Sequence, residues 1–394
     1  MPPKLTVCYD PGTSVSKILY QLDSGQVKHL TMEPEVFCLP IATSLPTTSD
    51  FGRPSDCAWV QLPQDETCYA VGRLARNYRA TVSIKRLKYE SLVPKVLAAL
   101  GAIATVENLP QKFNLDLALL LPLGEYANRD ELEKLLKEAL KGFNFQSRPY
   151  KVNLGLYKCC AEGFGLALSY IKEKGLKQFQ NSTLAYLMFG YRNTSILVFK
   201  NGTLVTTQSN TTQLGFYDLI DKMTAKISGL SREEVQAAIV TKVQKDYDWD
   251  NVEWKYHQTT EIVIEDLIKS TDPDKMALEE AQILKAIELA TAQYWQLLSD
   301  WLYESLPPMR QLDGVIYGGG ACQLLKPQLD GYWQDVNLEM ECTKTYQSQL
   351  FKALSLDSSA LHQFNQQNLV LRFADVWGLF VQFANYQSED HSAA

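Results

Sequence analysis

The chain has 394 residues, of which 46% are hydrophobic and 21% are charged, and its formal net charge is −7. This length suggests two or three domains, and the composition is typical of a folded globular protein, which excludes a disordered chain. Phosphate binding needs a positive surface and no long run of lysine and arginine occurs, so direct, non-specific binding to nucleic acid is not expected.

The first residues predict a β-meander. Residues 5–9 form a short apolar strand that leads into a turn at residues 10–14. A second strand at 16–22 and a third at 26–32 follow, with an Asp-Ser-Gly hairpin turn between them. The chain therefore opens with a strand, a turn that contains glycine, and a hairpin.

Further elements are predicted by apolar residues at helical spacing and by short apolar runs. Ser231 and Glu234 have the spacing of a capping box, which marks a helix start. Residues 245–256 predict a surface loop, and residues 387–394 predict a polar tail. Predicted helices cover residues 91–106, 128–140, 162–174, 216–227, 231–243, 274–306 and 374–386, and predicted strands cover 115–121 and 313–317.

The opening pattern returns at residues 184–208. Strands at 184–189 and 195–199 flank a turn, and an Asn-Gly hairpin at 201–202 leads into a third strand. The two copies lie about 180 residues apart, which is too long for a solenoid repeat and fits two homologous lobes. No linker rich in proline, glycine or serine separates the halves, so a hinge inside one compact body is expected.

The remaining composition favours a cytoplasmic protein. The eight cysteines are scattered without a CxxC pair and only four histidines occur, so no zinc site is predicted and the thiols are expected to be reduced. The first residues lack the apolar core of a secretory signal. No uninterrupted apolar run of about 18 residues occurs, so no membrane helix is expected.

The first turn carries residue types that bind phosphate. Gly12 lets the backbone approach a ligand closely, and the hydroxyls of Thr13 and Ser14 add hydrogen-bond donors. Lys17 supplies a positive charge for phosphate oxygens, and Asp10 at the strand end could hold a hydrated Mg²⁺. An ordinary Asp-Pro-Gly turn is the alternative interpretation.

The second turn, at residues 190–195, offers similar donors from Gly190, Asn193 and Thr194, with an ordinary hairpin turn as the alternative. A third candidate follows the strand at 313–317. Consecutive glycines there would let the backbone lie against a flat ring or a sugar, and a flexible loop is the alternative. The residues of this third candidate are Gly318, Gly319, Gly320 and Ala321.

Taken in order, these three segments resemble the phosphate-1, phosphate-2 and adenosine motifs of the superfamily of actin, heat-shock chaperones and sugar kinases. Within it, the chain resembles the ParM/StbA branch of bacterial actin-like proteins, and the resemblance extends over essentially the whole sequence. The segments most similar to that branch are residues 89–103, 119–126, 214–220 and 374–378.

The resemblance implies an α/β, actin-like ATPase fold with two duplicated ribonuclease-H-like lobes around a nucleotide cleft. Each lobe would contain a mixed five-stranded sheet. Lobe I would cover residues 1–180 with an outer insertion at 33–90. Lobe II would cover 181–373 with an outer insertion at about 231–300. Residues 374–394 would form a helix that returns to lobe I, followed by the polar tail.

The resemblance also implies cofactors and catalytic residues. ATP or GTP would bind with Mg²⁺, which Asp10 would hold through water. Glu162, at the start of the helix between the lobes, would orient the water that attacks the γ-phosphate, so Asp10 and Glu162 are the expected catalytic residues. A first-turn glutamate favoured by the helix dipole is the alternative for Glu162.

One position departs from the family pattern. The second phosphate loop of the family begins with an aspartate that manages Mg²⁺ and the attacking water, and Met188 occupies the matching position here. Loss of one such group typically costs about 10²–10³ in rate, so slow hydrolysis is expected. Arg192, where the family prefers a small residue, could contact phosphate or face solvent, and the solvent-facing orientation is favoured.

The function implied is that of a nucleotide-dependent, filament-forming protein in the cytoplasm that associates with itself. Two roles stay open: plasmid segregation through a DNA-bound adaptor of the ParR type, or a stable cell-structuring filament. A small-molecule kinase or a nucleotide sensor on the same fold is the alternative, although no motif commits to a sugar-sized pocket with a carboxylate base.

Overall fold

The chain forms two compact units. The first, unit 1, comprises Met1–Ser169, Lys352–Leu354 and Asp375–Ala394, and the second, unit 2, comprises Tyr170–Phe351 and Ser355–Ala374. The computed structural model describes residues 2–40, 45–46, 52–62, 67–80, 87–248, 253–322, 324–334, 339–342, 345–356, 364 and 369–392.

The described strands belong to one sheet in each unit and to one separate hairpin. The strands of unit 1 are β1 (Lys4–Asp10), β2 (Ser16–Leu22), β3 (Val27–Met32), β4 (Val36–Pro40), β5 (Trp59–Gln61), β6 (Thr67–Val71), β7 (Lys112–Leu121), β8 (Phe143–Phe145) and β9 (Arg148–Ala161). The strands of unit 2 are β10 (Thr183–Phe189), β11 (Thr194–Lys200), β12 (Thr203–Leu204), β13 (Asn210–Thr212), β14 (Ile239–Asp248), β15 (Glu253–Ile262), β16 (Gly314–Gly318) and β17 (Glu339–Cys342).

The described α-helices vary widely in length. They are α1 (Arg73–Asn77), α2 (Leu92–Val106), α3 (Arg129–Leu140), α4 (Phe164–Lys174), α5 (Leu176–Gln180), α6 (Phe216–Thr224), α7 (Arg232–Ala237), α8 (Pro273–Ser305), α9 (Lys326–Trp333), α10 (Thr345–Leu354), α11 (Leu369–Arg372) and α12 (Ala374–Ser392).

The sheet of unit 1 has the order β3-β2-β1-β7-β9-β8-β5-β6-β4. Strands β1 to β3 form an antiparallel meander, whereas β1, β7 and β9 run parallel. Every residue of β1 after Lys4 is buried, as expected for a strand with a neighbour on each side and helices on the faces. The strands β8, β5, β6 and β4 extend this sheet by antiparallel pairing.

Helix α2 packs its apolar residues into the core of unit 1. Length and composition would let Tyr89–Val106 cross a membrane, but 61% of this window is buried inside the structure, as in a core helix. Its buried stripe includes Leu92, Val96, Leu100 and Ile103, at the spacing of one helix face. Apolar content in this segment is therefore explained by burial within unit 1.

The sheet of unit 2 repeats the topology of the first. Its order is β12-β11-β10-β16-β17, with β13 also paired to β11. The first three strands are antiparallel and the last three run parallel, as in β3-β2-β1-β7-β9. The predicted α/β fold is therefore confirmed. The expectation of five strands in each sheet is wrong, because among the described residues β8, β5, β6 and β4 enlarge the first sheet to nine strands and β13 enlarges the second to six.

The long helix α8 lies against the core of unit 2. The pattern at 274–306 predicted this helix, and its observed bounds are Pro273–Ser305. It begins with an Asp272 N-cap followed by proline, a favourable start. The Tyr294 hydroxyl donates a hydrogen bond to the Leu214 carbonyl oxygen at 3.1 Å.

Two sequence predictions about unit 2 are wrong. The capping box of Ser231 and Glu234 is present, but the helix ends at Ala237 and not at residue 243. The predicted surface loop at 245–256 is instead part of the antiparallel hairpin β14–β15, apart from residues 249–252, which lie outside the described residues. The run Ile239-Val240-Thr241 is β-branched and favours a strand over a helix.

The polar tail predicted at 387–394 is also wrong in its bounds. Helix α12 continues through those polar residues to Ser392, and residues 393–394 lie outside the described part of the chain. Glutamine, glutamate and similar straight side chains are compatible with a helix, so their polarity did not end it.

Candidate functional site

The first candidate loop is a tight turn between β1 and β2. Asp10 and Lys17 are the last paired residues of this hairpin, and the Lys17 ammonium forms a buried ion pair with Asp10 Oδ2. The Gly12 N–H donates to the Asp10 carbonyl oxygen at 2.9 Å. A Cβ on Gly12 would lie 2.3 Å from the Val15 carbonyl oxygen, so only glycine fits.

The same loop contains a buried hydroxyl without a partner. Thr13 is buried, and its Oγ1 has no hydrogen-bond partner within the described structure. Leaving such a group unpaired costs about 1–3 kcal/mol, which a phosphate oxygen would offset by accepting a hydrogen bond from the hydroxyl. Ser14 lies next to it and already makes an interaction. The loop that unites Asp10, Gly12, Thr13, Ser14 and Lys17 therefore fits a phosphate group.

Glu162 lies in the turn between β9 and α4. Its N–H donates to the Leu121 carbonyl oxygen at 2.7 Å, which continues the β7–β9 pairing by one residue. The helix begins at Phe164, so Glu162 lies two residues before it and not in its first turn. The Lys88 ammonium donates to Glu162 Oε1, and the two side chains are 10% and 13% exposed.

Asp375 is a site residue that the sequence reasoning missed. Its Oδ2 accepts the Gly163 N–H at 2.6 Å and its Oδ1 accepts the Gly165 N–H at 2.7 Å. Burial, and then the charges of Asp10 and Glu162, raise the pKa of Asp375 to about 7, although the two N–H bonds oppose that shift. Three carboxyl groups therefore interact in unit 1. Asp375 is the one acidic residue between 369 and 383, and an isolated acidic residue in a largely apolar segment is a sequence signal that could have indicated a site.

Helices α4 and α12 meet backbone to backbone beside this cluster. A Cβ on Gly378 would lie 1.8 Å from the Gly165 carbonyl oxygen, and one on Gly165 would lie 1.8 Å from the Asp375 carbonyl oxygen. Glycine at both positions permits this approach. The contact fixes the start of α4 and with it the turn that carries Glu162.

In the second candidate loop, two of the expected hydrogen-bond donors already bond to other groups of unit 2. The Gly190 N–H donates to the Asn193 carbonyl oxygen at 2.9 Å, and the buried Thr194 hydroxyl donates to the Leu214 carbonyl oxygen at 2.6 Å. Asn193 Oδ1 accepts a hydrogen bond from Arg192 Nε at 3.2 Å. Arg192 is half-buried and does not simply face solvent. Gly190 and Thr194 thus shape this loop by bonds within unit 2.

Aromatic side chains and helix α6 hold the second loop in place. The first N–H groups of α6, from Phe216 and Tyr217, donate to the carbonyl oxygens of Gly190 and Tyr191 at 3.0 and 2.8 Å. The Tyr191 ring lies 5.8 Å from that of Tyr217, over which the Arg232 guanidinium lies at 4.2 Å. The loop is therefore a rigid part of unit 2.

Met188 lies one residue before the end of β10, whereas Asp10 is the last residue of β1. The first hairpin ends with the pair Asp10–Lys17, and the second continues past the pair Met188–Ser195 to Phe189–Thr194. Met188 also pairs with Gly318 on the neighbouring parallel strand. The pairs Asp10–Lys17 and Met188–Ser195 join residues at the same separation along the chain, with a carboxylate in the first and a thioether in the second.

The glycine loop after β16 packs against the end of β10. Gly319 has a φ of 99°, and a Cβ there would lie 2.4 Å from the Phe189 carbonyl oxygen. A Cβ on Gly320 would lie 3.4 Å from Arg372 Nε, so this arginine lies beside the loop. No sequence pattern indicated Arg372 as a site residue. Gly318, Gly319, Gly320 and Ala321 are therefore gathered with Met188 in unit 2.

No protein-family model matches the chain, and no curated protein matches it in sequence. Solved structures do match over nearly its full length. The archaeal actin homolog Ta0583 is 15% identical with a TM-score of 0.60, covering 97% of this chain and 99% of its own. The chain has the actin-like fold.

Two ParM structures are also similar to this chain. The apo psk41 ParM protein is 15% identical with a TM-score of 0.53, covering 96% of this chain and 98% of its own. A ParM from Clostridium botulinum, solved as a 15-stranded filament, is 15% identical with a TM-score of 0.54. The match covers 95% of this chain and 99% of that ParM. Ta0583 has also been solved in complex with ADP.

The described residues of the chain offer few ligands for a metal ion. Within the described residues, no three histidine, cysteine, aspartate or glutamate side chains form a group that could hold a metal ion. Asp10 is the nearest candidate, and its carboxylate is paired with Lys17. A cation there would need water or phosphate oxygens as additional ligands.

Proposed function

We propose that this chain binds a nucleoside triphosphate with Mg²⁺, assembles into filaments in response, and hydrolyses the nucleotide slowly. The observation that carries this proposal is the pair of antiparallel hairpins that begin the sheets of the two units, with Asp10 at the end of β1 and Met188 near the end of β10. The ADP complex of Ta0583 and the filament of the Clostridium botulinum ParM, both of this fold, support binding and assembly.

Phosphate binding is assigned to the first hairpin loop. The unpartnered Thr13 hydroxyl and the space kept open by Gly12 suit a phosphate oxygen. Lys17 would exchange its partner Asp10 for phosphate, which releases the Asp10 carboxylate toward a hydrated Mg²⁺. Asn193 and the loop from Gly318 to Ala321, in unit 2, are the other residues proposed to contact nucleotide.

Slow hydrolysis is proposed from the distribution of carboxylates. Glu162 would orient the attacking water and accept its proton as the water oxygen bonds to the γ-phosphorus and the bond to the bridging oxygen breaks. Met188 can neither accept a proton nor hold Mg²⁺ through water. Absence of one positioned group typically lowers the rate by about 10²–10³.

Filaments of this chain would be either segregation machinery or a stable cytoskeletal element of the cytoplasm. With a net charge of −7, contact with DNA would be indirect, through a DNA-bound adaptor of the ParR type. Slow hydrolysis would lengthen filament lifetime and favour the cytoskeletal role. A neighbouring reading frame for such an adaptor and a repeated centromere sequence would favour segregation.

The first test is sedimentation and negative-stain microscopy of the purified chain with ATP, GTP, slowly hydrolysed analogues or no nucleotide. Phosphate release is followed in parallel. Filaments with triphosphate and little phosphate release are the expected result. Tight nucleotide binding by a chain that stays monomeric under every condition would contradict the filament proposal.

The role of Met188 is tested by Met188→Asp, with Met188→Leu as the matched control. Met188→Asp should raise phosphate release on the order of 10²-fold, whereas Met188→Leu should leave it unchanged. Equal rates for both variants and the unmodified chain would show that this position does not limit hydrolysis.

A further inference from the structure

The Glu162 carboxylate, which the proposed function assigns to hydrolysis, forms a buried ion pair. The Lys88 ammonium bonds Glu162 Oε1, and the two side chains are only 10% and 13% exposed. Water therefore competes weakly for either charge, and the attraction is stronger than between surface groups. One of the two carboxylate oxygens is held by Lys88 before any water is oriented.

Lys88 is itself fixed by the backbone around it. It is the N-cap of the short 3₁₀-helix Tyr89–Ser91, which leads directly into α2. Its carbonyl oxygen accepts the Ser91 N–H at 3.3 Å, and the neighbouring Tyr89 N–H donates to the buried Glu125 Oε2 at 3.1 Å. The backbone that carries the ammonium is therefore held by hydrogen bonds involving Ser91 and Glu125.

Glu162 is held from a second direction. Its own N–H is bonded to Leu121, and the next residue, Gly163, is bonded by Asp375. With the backbone fixed on one side and the side chain tied to Lys88 on the other, the carboxylate has little freedom to turn toward a water molecule. Its negative charge is also directed to the ammonium.

We propose that Lys88 is a positioning residue that restrains the Glu162 carboxylate and thereby slows hydrolysis of bound nucleotide. This inference rests on the proposed function and adds a second cause of slow turnover, independent of Met188. Release of the restraint frees a carboxylate oxygen for the attacking water. A positioned general base contributes about 10²–10⁴ to a rate, so partial recovery on the order of tenfold is expected.

The kinetic test compares Lys88→Met, which keeps the length and removes the charge, with Lys88→Arg, which keeps the ion pair. Lys28→Met is the matched control, because it removes the ion pair of Lys28 with Glu107, 2.7 Å, elsewhere in unit 1. Single-turnover phosphate release should rise about tenfold in Lys88→Met alone, with the nucleotide dissociation constant within about twofold of the unmodified chain.

Making Lys88→Met in a chain that already carries Glu162→Gln shows whether the effect acts through Glu162. In Glu162→Gln, the further change Lys88→Met should give no gain in phosphate release. A gain that persists in this background would overturn the proposal, as would a Lys88→Met rate equal to or below that of the unmodified chain while nucleotide stays bound.

A test without nucleotide separates this inference from the proposed function. Urea unfolding of the nucleotide-free chain is measured for Lys88→Met, Glu162→Gln and the double variant. The double variant should unfold at a higher urea midpoint than the two single shifts together predict, because each single variant leaves a buried group without its partner. Additive shifts would overturn the restraint. If no variant bound ATP or GTP while the urea midpoints stayed non-additive, the proposed function and its kinetic consequence would be overturned. The restraint of Glu162 by the ion pair would still hold.

Discussion

Replacing Asp375 by asparagine should change how the free energy of unfolding depends on pH. The side chain is fully buried, and its pKa is raised to about 7 from an ordinary value of 3.8. Between those two values the folded chain keeps a proton that the unfolded chain has lost, so stability falls as the pH rises through this window. The difference between these two pKa values corresponds to about 4 kcal/mol, of which about 2 kcal/mol is lost between pH 5 and pH 7.

Asp375→Asn removes this titration and also one hydrogen bond. A carboxyl group serves both Gly163 and Gly165, whereas an amide has one acceptor oxygen and leaves one buried N–H unpaired, at about 1–3 kcal/mol. The variant should therefore be less stable than the unmodified chain at pH 5. Its relative stability should improve by about 3 kcal/mol at pH 8, which closes or reverses the deficit.

The assay is urea unfolding of the nucleotide-free chain at pH 5 and pH 8. Leu379→Ala is the control, because it removes buried apolar contact from the same helix without changing charge. Its deficit, about 2–5 kcal/mol, should be similar at both pH values. If the deficit of Asp375→Asn were also the same at pH 5 and pH 8, the carboxyl group would not titrate in this window and the reasoning would be refuted.

Three glycine substitutions give further predictions. Gly378→Ala should lower the free energy of unfolding by about 3 kcal/mol or more, because its Cβ would lie 1.8 Å from the Gly165 carbonyl oxygen; urea unfolding measures this. Gly331→Ala, in α9 with no atom within 4 Å of the new Cβ, should raise it by about 1 kcal/mol in the same assay. Gly12→Ala should weaken ATP binding by at least about tenfold, measured by titration, because its Cβ would displace the Val15 carbonyl oxygen; unchanged affinity would contradict the phosphate-loop assignment.

Local sequence signals predicted the repeated parts of the fold. The hairpins of both units follow from short apolar runs separated by glycine-containing turns, and these signals lie within about ten residues of one another. The bounds observed for β1, β2, β10 and β11 agree with the predicted strands to within a residue or two. The long stripe of α8 was equally visible because a helix face repeats every three to four residues.

Three features could not be obtained in this way. Val235, Ile239 and Val243 continue a helical spacing after the capping box, so the pattern alone did not show that pairing with β15 ends the helix. The role of Asp375 depends on N–H groups 210 and 212 residues earlier in the chain. The ion pair of Lys88 with Glu162 likewise joins residues that no local pattern connects.

The discontinuity of unit 1 determines the order in which the protein can be completed during synthesis. Residues up to Ser169 belong to unit 1, yet its last part, from Asp375, is translated only after all of unit 2. At about 5–20 residues per second, roughly 10–40 s separate the emergence of Gly165 from that of the carboxylate that bonds it. The unit that begins first is therefore finished last, and a ribosome that stops anywhere within unit 2 releases a chain whose first unit lacks helix α12.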